Sequence, residues 1–395
     1  MLDELNSDCQ LIIIKYLQLN DQIALCEASK NHSNRLYTNV IFSWEHQRCF
    51  KLDEYNFERF EEMPEMLDIF LSSISEIVQK LILQWVTLKF LKRWKNYTFP
   101  SMRTLKYLLV PSYGSKHEAD EALQIMSNLF PGLLRVTPHG DFHCGQLSKW
   151  TQLGELNLVN WFSNYKSQVS PIEVIQCKML EKLQLNHYFR WPGIYDQIMA
   201  LPKLYKLSII LTNHHALHED IAVELLENRG KDVYKMTLSD INNLYYISRL
   251  RKASNLRHLT LARVYFSIKK ICKLIANLKQ LERLDFIDFQ SWLNEKELWR
   301  IVAKCPSLKI LNISGMKLCE NFFELDRSAM EKTLNNRLQP VILNCYNTYK
   351  NEQLMRQYFK HPQLKLSFKP STWRFIDWNE SHGMIQLYFT PLLTS

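Results

Sequence analysis

The chain has 395 residues, 46% of them hydrophobic and 23% charged, with a formal net charge of +9. That balance excludes disorder, collagen and a simple coiled coil. Residues 1–70 hold 13 acidic and 6 basic side chains, a balance of −7, which leaves +16 for the rest and suggests that the two parts meet different partners.

The first elements fall in residues 2–50. Ser7 or Asp8 can cap a helix whose apolar stripe is Leu11, Ile14 and Leu17. Asn20 or Asp21 can cap a second helix with stripe Ile23, Leu25 and Ala28. A third amphipathic segment carries Leu36, Val40, Ile41 and Trp44. Three short helices make a small core, so part of the stripe is expected to need a partner surface.

Leu5, Asp8, the run Leu11 to Leu17, the step Leu17-Gln18-Leu19-Asn20-Asp21 and the stretch Ile23 through Ser29-Lys30 together resemble the F-box. Departures are Asn6, where the family commonly has Pro, and Asn34-Arg35-Leu36, where an aromatic is usual. The resemblance implies a small all-α F-box over 1–50 that binds a Skp-type adaptor through Leu5, Leu11, Ile14, Leu17, Ile23 and Leu25. Residues 51–77 are expected to be a helical linker or N-terminal cap.

From residue 78 a phrase L-x-x-L-x-L recurs. Clear copies are Leu153-Leu156-Leu158, Leu180-Leu183-Leu185, Leu204-Leu207-Ile209, Leu256-Leu259-Leu261, Leu281-Leu284-Phe286 and Leu308-Leu311-Ile313. Weaker copies start at Val78, Met102, Leu133, Val233, Leu338 and His361. Alternation places two apolar side chains on one face of a short strand. Between phrases lie helical patterns such as Ile268-Ile271-Cys272-Leu274-Ile275. Strand then helix, at a period inside the 20–29 residues of such repeats, predicts parallel strands joined by right-handed crossovers. Each unit must stack on its neighbours to bury its apolar face.

Residues 78–366 resemble the leucine-rich repeat family, in about 10–12 degenerate repeats, with 367–395 as a C-terminal cap. Three places beyond the third leucine, where the family has Asn or Cys, stand Trp161, Tyr188, Thr212, Ile241, Val264, Phe289 and Met316. The fold expected is an α/β solenoid of parallel strands and helices preceded by the F-box.

Chemistry-bearing constellations are sparse. Nine cysteines without a C-x-x-C argue against a disulfide framework or a cysteine zinc site. With a polar N-terminus unlike a signal peptide, they predict a reducing, cytoplasmic and/or nuclear setting. The longest apolar runs fall far short of a membrane span. His214-His215-x-x-His218 and His139 to Cys144 have metal-like spacing but read better as loops. Trp85, Lys89, Lys92, Arg93, Trp94, Lys95 and Tyr97 interleave base and aromatic, as single-stranded nucleic acid would require. An amphipathic helix with its rings inward explains them better.

An F-box followed by leucine-rich repeats implies a substrate receptor of an SCF-type cullin–RING ubiquitin ligase: no enzyme, no cofactor, no metal. Its expected partners are the Skp-type adaptor with its cullin complex and a protein target. A repeat scaffold outside any ligase and a basic nucleic-acid-binding array are the alternatives. Residues between the last two leucines should form the concave sheet face that takes the target: Lys182, Gln184, Lys206, Lys235, His258, Arg283, Asp285 and Asn312. The excess of cations predicts an acidic or phosphorylated target segment.

Overall fold

The computed structural model describes residues 2–109, 116–139, 147–159, 171–186, 195–212, 226–227, 229–240, 252–264, 267–289, 293–319, 321–323, 327–348, 352–370, 382–390 and 392. The chain divides into two compact units, Met1–Leu183 and Gln184–Ser395.

The first unit opens with three helices, α1 (Ser7–Tyr16), α2 (Leu19–Ser29) and α3 (Asn34–His46). Asn6, not Ser7 or Asp8, caps α1: its Oδ1 accepts from the Cys9 backbone N–H at 2.8 Å. Asn is as good an N-cap as Ser or Asp. No side chain caps α2, which begins one residue before Asn20. Ile14, Ile23, Cys26, Leu36, Val40 and Trp44 are buried. Gln22 fastens the three helices: its Nε2 donates to the Ile14 and Leu17 carbonyls at 3.1 and 3.0 Å, and its Oε1 accepts from Trp44 Nε1 at 2.7 Å.

The packing around these helices does not stop at residue 50. β1 (Cys49–Leu52), α4 (Glu54–Glu62) and α5 (Pro64–Ile74) follow. Phe70 of α5 lies 5.3 Å from the Trp44 ring, 5.2 Å from Phe50 and 5.2 Å from Phe60. Asn56 Nδ2 donates to Asn20 Oδ1 at 2.6 Å, and Arg59 pairs with Glu27 at 2.9 Å. One aromatic cluster thus joins the N-terminal helices to the segment expected to be a helical linker. That segment begins with a strand, and β1 pairs parallel to β2 (Lys80–Val86), as a repeat strand does. The sheet continues through β3 (Thr104–Leu109), β4 (Arg135–His139) and β5 (Glu155–Asn157), all parallel. On its helical side lie α6 (Leu88–Arg93) and α7 (Lys116–Leu129), with α8 (Pro171–Gln176) after β5.

β6 (Lys182–Asn186) lies where the units divide, and α9 (Tyr195–Met199) and β7 (Lys206–Thr212) follow. The second unit then runs through β8 (Val233–Ser239), β9 (His258–Ala262), α10 (Ile268–Ile275), β10 (Arg283–Ile287) and α11 (Glu295–Lys304). β11 (Ile310–Asn312), α12 (Ser328–Asn335), β12 (Val341–Asn344), α13 (Glu352–Tyr358) and β13 (Leu364–Ser367) complete the series. Neighbours β8 to β13 are parallel and in register. Each of the twelve phrases from Val78 onward carries one strand, β2 to β13. The phrase leucines, such as Leu259, Leu261, Leu284 and Leu311, are buried.

Two features depart from the expected repeat. Leu338 is 99% exposed and does not fill its inward place. Its neighbour Arg337 donates to the Val302, Cys305 and Leu308 carbonyls at and just after the end of α11. The second departure is the C-terminus. The expected cap at 367–395 contains β14 (His382–Phe389), which lies antiparallel between β7 and β8 and bonds to both. Ile385, Leu387 and Phe389 enter the core beside Leu207, Ile209, Met236 and Leu238. Arg229 anchors its end, donating to the Thr390 and Met199 carbonyls at 2.8 and 2.9 Å and pairing with Asp232 at 2.9 Å.

The missing Asn/Cys ladder also has a physical substitute. Two places past the third apolar position, Trp85, Asp240, Arg263, Asp288 and Gly315 all adopt positive φ, between 47° and 75°. One place further, Val86, Val264, Phe289 and Met316 are buried. A left-handed turn with apolar packing therefore does what side-chain amides usually do. Trp161, Tyr188 and Ile241 lie outside the described residues.

Candidate partner-binding face

Strand alternation and register decide which side chains line up on the sheet face opposite the phrase leucines. Across the second unit, one row reads Lys206, Tyr388, Lys235, His258, Arg283 on β7, β14, β8, β9 and β10. The next row reads Ser208, Gln386, Thr237, Thr260, Asp285, Asn312.

The second row is buried throughout. Buried polar groups require partners. Asp285 is the partner of two of them and of Arg283: it accepts from Arg283 Nε at 2.9 and 3.1 Å, from Asn312 Nδ2 at 3.1 Å and from Thr260 Oγ1 at 3.4 Å. Asn312 Oδ1 in turn accepts from the Ser314 backbone N–H at 3.0 Å and its hydroxyl at 2.5 Å. This network ties the β9 to β11 part of the second row to Arg283 of the first.

The first row is half-buried and cationic. The Lys206 and Lys235 ammoniums lie 5.2 and 4.8 Å from the centre of the Tyr388 ring. Burial, followed by the nearby charges of Lys235 and Arg283, pushes the His258 pKa below its ordinary 6.5. It is neutral at pH 7.

Sequence reasoning foresaw Lys206, Lys235, His258, Arg283, Asp285 and Asn312 on one face, and the structure places them in these two adjoining rows. Gln184 is half-buried on β6. Lys182 belongs to the first unit, where its ammonium meets Glu155 at 3.3 Å. Tyr388 and Gln386 were not foreseen. Their alternation with Ile385, Leu387 and Phe389 marks a strand, yet nothing local announces where that strand inserts.

The six N-terminal residues separate by burial. Ile14 and Ile23 are fully buried and present no surface, because they hold the three-helix core. Leu11, Leu17 and Leu25 are half-buried and Leu5 is exposed. Ile12 and Tyr16 of α1 are 60% and 83% exposed, and Phe42 of α3 is 44% exposed.

Of the basic–aromatic stretch, only Leu88–Arg93 is the amphipathic helix α6; Trp85 lies in β2 and is 46% exposed, not turned inward. Phe90 and Trp94 are fully buried, while Lys89 and Lys92 pair with Glu61 at 3.1 Å and Glu121 at 2.7 Å. Buried thiols behave as small apolar groups: burial pushes Cys26, Cys177, Cys305 and Cys345 up to about 12. Among the described residues no three His, Cys, Asp or Glu side chains are grouped to hold a metal ion, and no helix is long and apolar enough to cross a membrane. His214, His215, His218, His143 and Cys144 lie outside the described residues.

Recurring L-x-x-L-x-L phrases, each bearing one parallel strand of a stacked sheet, set the fold. It is a leucine-rich-repeat-like α/β solenoid. No protein-family model matches the chain, and no curated protein matches it. Among solved structures, an internalin from Listeria monocytogenes is similar at TM-score 0.36 and 10% identity, over 90% of this chain and 96% of that one. A leucine-rich repeat protein from Leptospira interrogans is similar at TM-score 0.38 and 15% identity, over 89% and 99%. A chain of the Drosophila Toll–Spätzle complex is similar at TM-score 0.44 and 15% identity, over 81% of this chain and 43% of that one.

Proposed function

We propose that this chain is a non-catalytic binding protein with two binding regions, acting as a substrate receptor of an SCF-type ubiquitin ligase. The N-terminal helices take the Skp-type adaptor, and the second-unit sheet face takes an acidic or phosphorylated segment of the target. Catalysis then belongs to other subunits, and this chain contributes proximity. The observation that carries the target half is the cationic row Lys206, Lys235 and Arg283 on one sheet face, with Arg283 held by Asp285 of the adjoining buried polar row. Charge-assisted bonds from such a row hold anionic side chains. The adaptor half rests on the F-box-like sequence pattern and on apolar side chains in and around α1 that are exposed (Leu5) or half-buried (Leu11 and Leu17).

Leu5→Asp with Leu17→Asp, in the full chain, tests the adaptor half. Neither residue belongs to the buried core, so the fold survives and co-purification of the Skp-type adaptor is lost. A folded double variant that retains the adaptor refutes that half and favours a scaffold outside any ligase. Lys206→Glu, Lys235→Glu and Arg283→Glu test the target half. Targets should be lost and the adaptor retained; an unchanged set of targets refutes the face.

A further inference from the structure

In other phrases of the second unit the first leucine packs inward: Leu256, Leu281 and Leu308 are fully buried. Leu338 stands in the same place of its own phrase and is almost wholly in water. A leucine so exposed forgoes the apolar burial that its counterparts gain. It lines a cavity of about 710 Å³ at the C-terminal ends of α11 and α12, beside the segments that lead into β11 and β12. That volume falls in the range of about 300–1,000 Å³ that binding pockets occupy.

Val302, Ala303 and Pro306 join Leu338 in an apolar wall, and Ala303 and Pro306 are exposed as well. Glu282, Lys309, Lys332 and Arg337 bring charge to the same cavity, and these charges do not balance. Glu282 is already met by Lys309 at 3.0 Å and by Arg257 at 4.0 Å. Lys332 has no ion-pair partner among the described residues. Arg337 donates only to main-chain carbonyls: Val302 at 3.2 Å, Cys305 at 3.1 Å, Gln339 at 3.4 Å and Leu308. Those bonds hold the guanidinium in place, and the end of α11 supplies it with only a partial negative charge. Two cations thus line the cavity with no carboxylate of this chain to neutralise them.

We propose that this cavity is a docking pocket for a short acidic segment of a partner protein, with an apolar anchor residue against Leu338 and carboxylates toward Lys332 and Arg337. Buried apolar anchors within a charged rim are how compact protein contacts gain both affinity and direction. None of the lining residues belongs to the two rows of the sheet face, so the inference does not depend on that reading.

Other occupants fit less well. A second copy of this chain would bring the same unpaired cations to the contact and meet like charge with like. Single-stranded nucleic acid binds by stacking bases on aromatic side chains, and no aromatic side chain among the described residues lines this cavity.

The test uses the full chain and fluorescein-labelled nine-residue peptides, read by fluorescence anisotropy at physiological salt. One peptide has a central leucine with four glutamates on each side, and its control has serine in place of the leucine. The leucine peptide should bind at least about tenfold tighter than the control, the worth of one buried leucine side chain. Leu338→Ser removes the wall that distinguishes the two, so it should abolish most of that preference. Lys332→Gln should weaken both peptides about fivefold and leave the preference in place. Both side chains are exposed, so the melting temperature of each variant should match the wild type. The variant with Lys206→Glu, Lys235→Glu and Arg283→Glu should bind the leucine peptide as the wild type does. Absence of binding, or equal affinity for the two peptides, overturns the proposal. So does binding that the sheet-face variant loses while Leu338→Ser and Lys332→Gln retain it, since the peptide then sits on the sheet. Self-association in sedimentation velocity that Leu338→Ser abolishes would assign the pocket to a second copy. A mixed-sequence single-stranded oligonucleotide that displaces the leucine peptide at lower concentration than unlabelled leucine peptide would assign it to nucleic acid, and either result overturns the proposal.

Discussion

Replacing Asp285 with Ala removes the acceptor at the centre of the buried polar row. Asn312 is fully buried, and its amide donor would lose its carboxylate partner. A buried donor left without a partner costs about 1–3 kcal/mol. The bond from Thr260 is 3.4 Å long and adds little. Arg283 keeps 36% of its side chain in solvent, so screening holds its share of the ion pair to about 1 kcal/mol or less. The expected loss is therefore about 1–4 kcal/mol. Asp285→Asn keeps the shape and one acceptor for Asn312, and should lose about half as much. Urea denaturation followed by far-ultraviolet circular dichroism measures both, with the slope unchanged if only stability has moved. An Asp285→Ala protein within about 0.5 kcal/mol of the wild type would refute the claim that this network ties the second row to Arg283.

Three further outcomes follow from local geometry. Gln22→Ala should cost about 2–4 kcal/mol in the same urea assay, because it strips two carbonyls and the Trp44 indole of their buried partner. Gly315→Ala should cost about 1–3 kcal/mol: φ is +75° there, and a Cβ would stand 2.7 Å from Asp288 Oδ1. His258 has a depressed folded pKa, so below 6.5 the unfolded chain takes up its proton first and stability falls as pH drops from 6.5 toward the folded value. His258→Gln should flatten that part of the stability–pH curve, measured as the difference from wild type between about pH 7.5 and 5.5.

Much of the repeat series was legible in the sequence, because strand alternation is local. Leu259 and Leu261 point inward for the same reason that His258 and Thr260 point outward. The face residues followed from that rule alone. What stayed hidden depends on distant partners. Nothing near Ile385 or Tyr388 says that their strand inserts antiparallel between β7 and β8. Nor does the sequence of Phe70 reveal that it meets Trp44, which is why an independent helical domain ending at residue 50 looked natural. The turn chemistry was half legible: Val264, Phe289 and Met316 visibly replace the usual amides, but the left-handed residues before them emerge only from the backbone. At Leu338 the pattern misled: the arginine beside it donates to carbonyls at the end of α11, and the leucine stands in water.

The central claim, two binding regions serving different partners, is tested most directly by affinity mass spectrometry of the full chain with cullin activation blocked. Three proteins are compared: wild type, Leu5→Asp with Leu17→Asp, and Lys206→Glu with Lys235→Glu and Arg283→Glu. The account predicts that the first variant loses the Skp-type adaptor and cullin but keeps the targets, and that the second loses the targets but keeps the adaptor. Absence of the adaptor from the wild-type sample, or loss of one and the same set of partners from both variants, would contradict it.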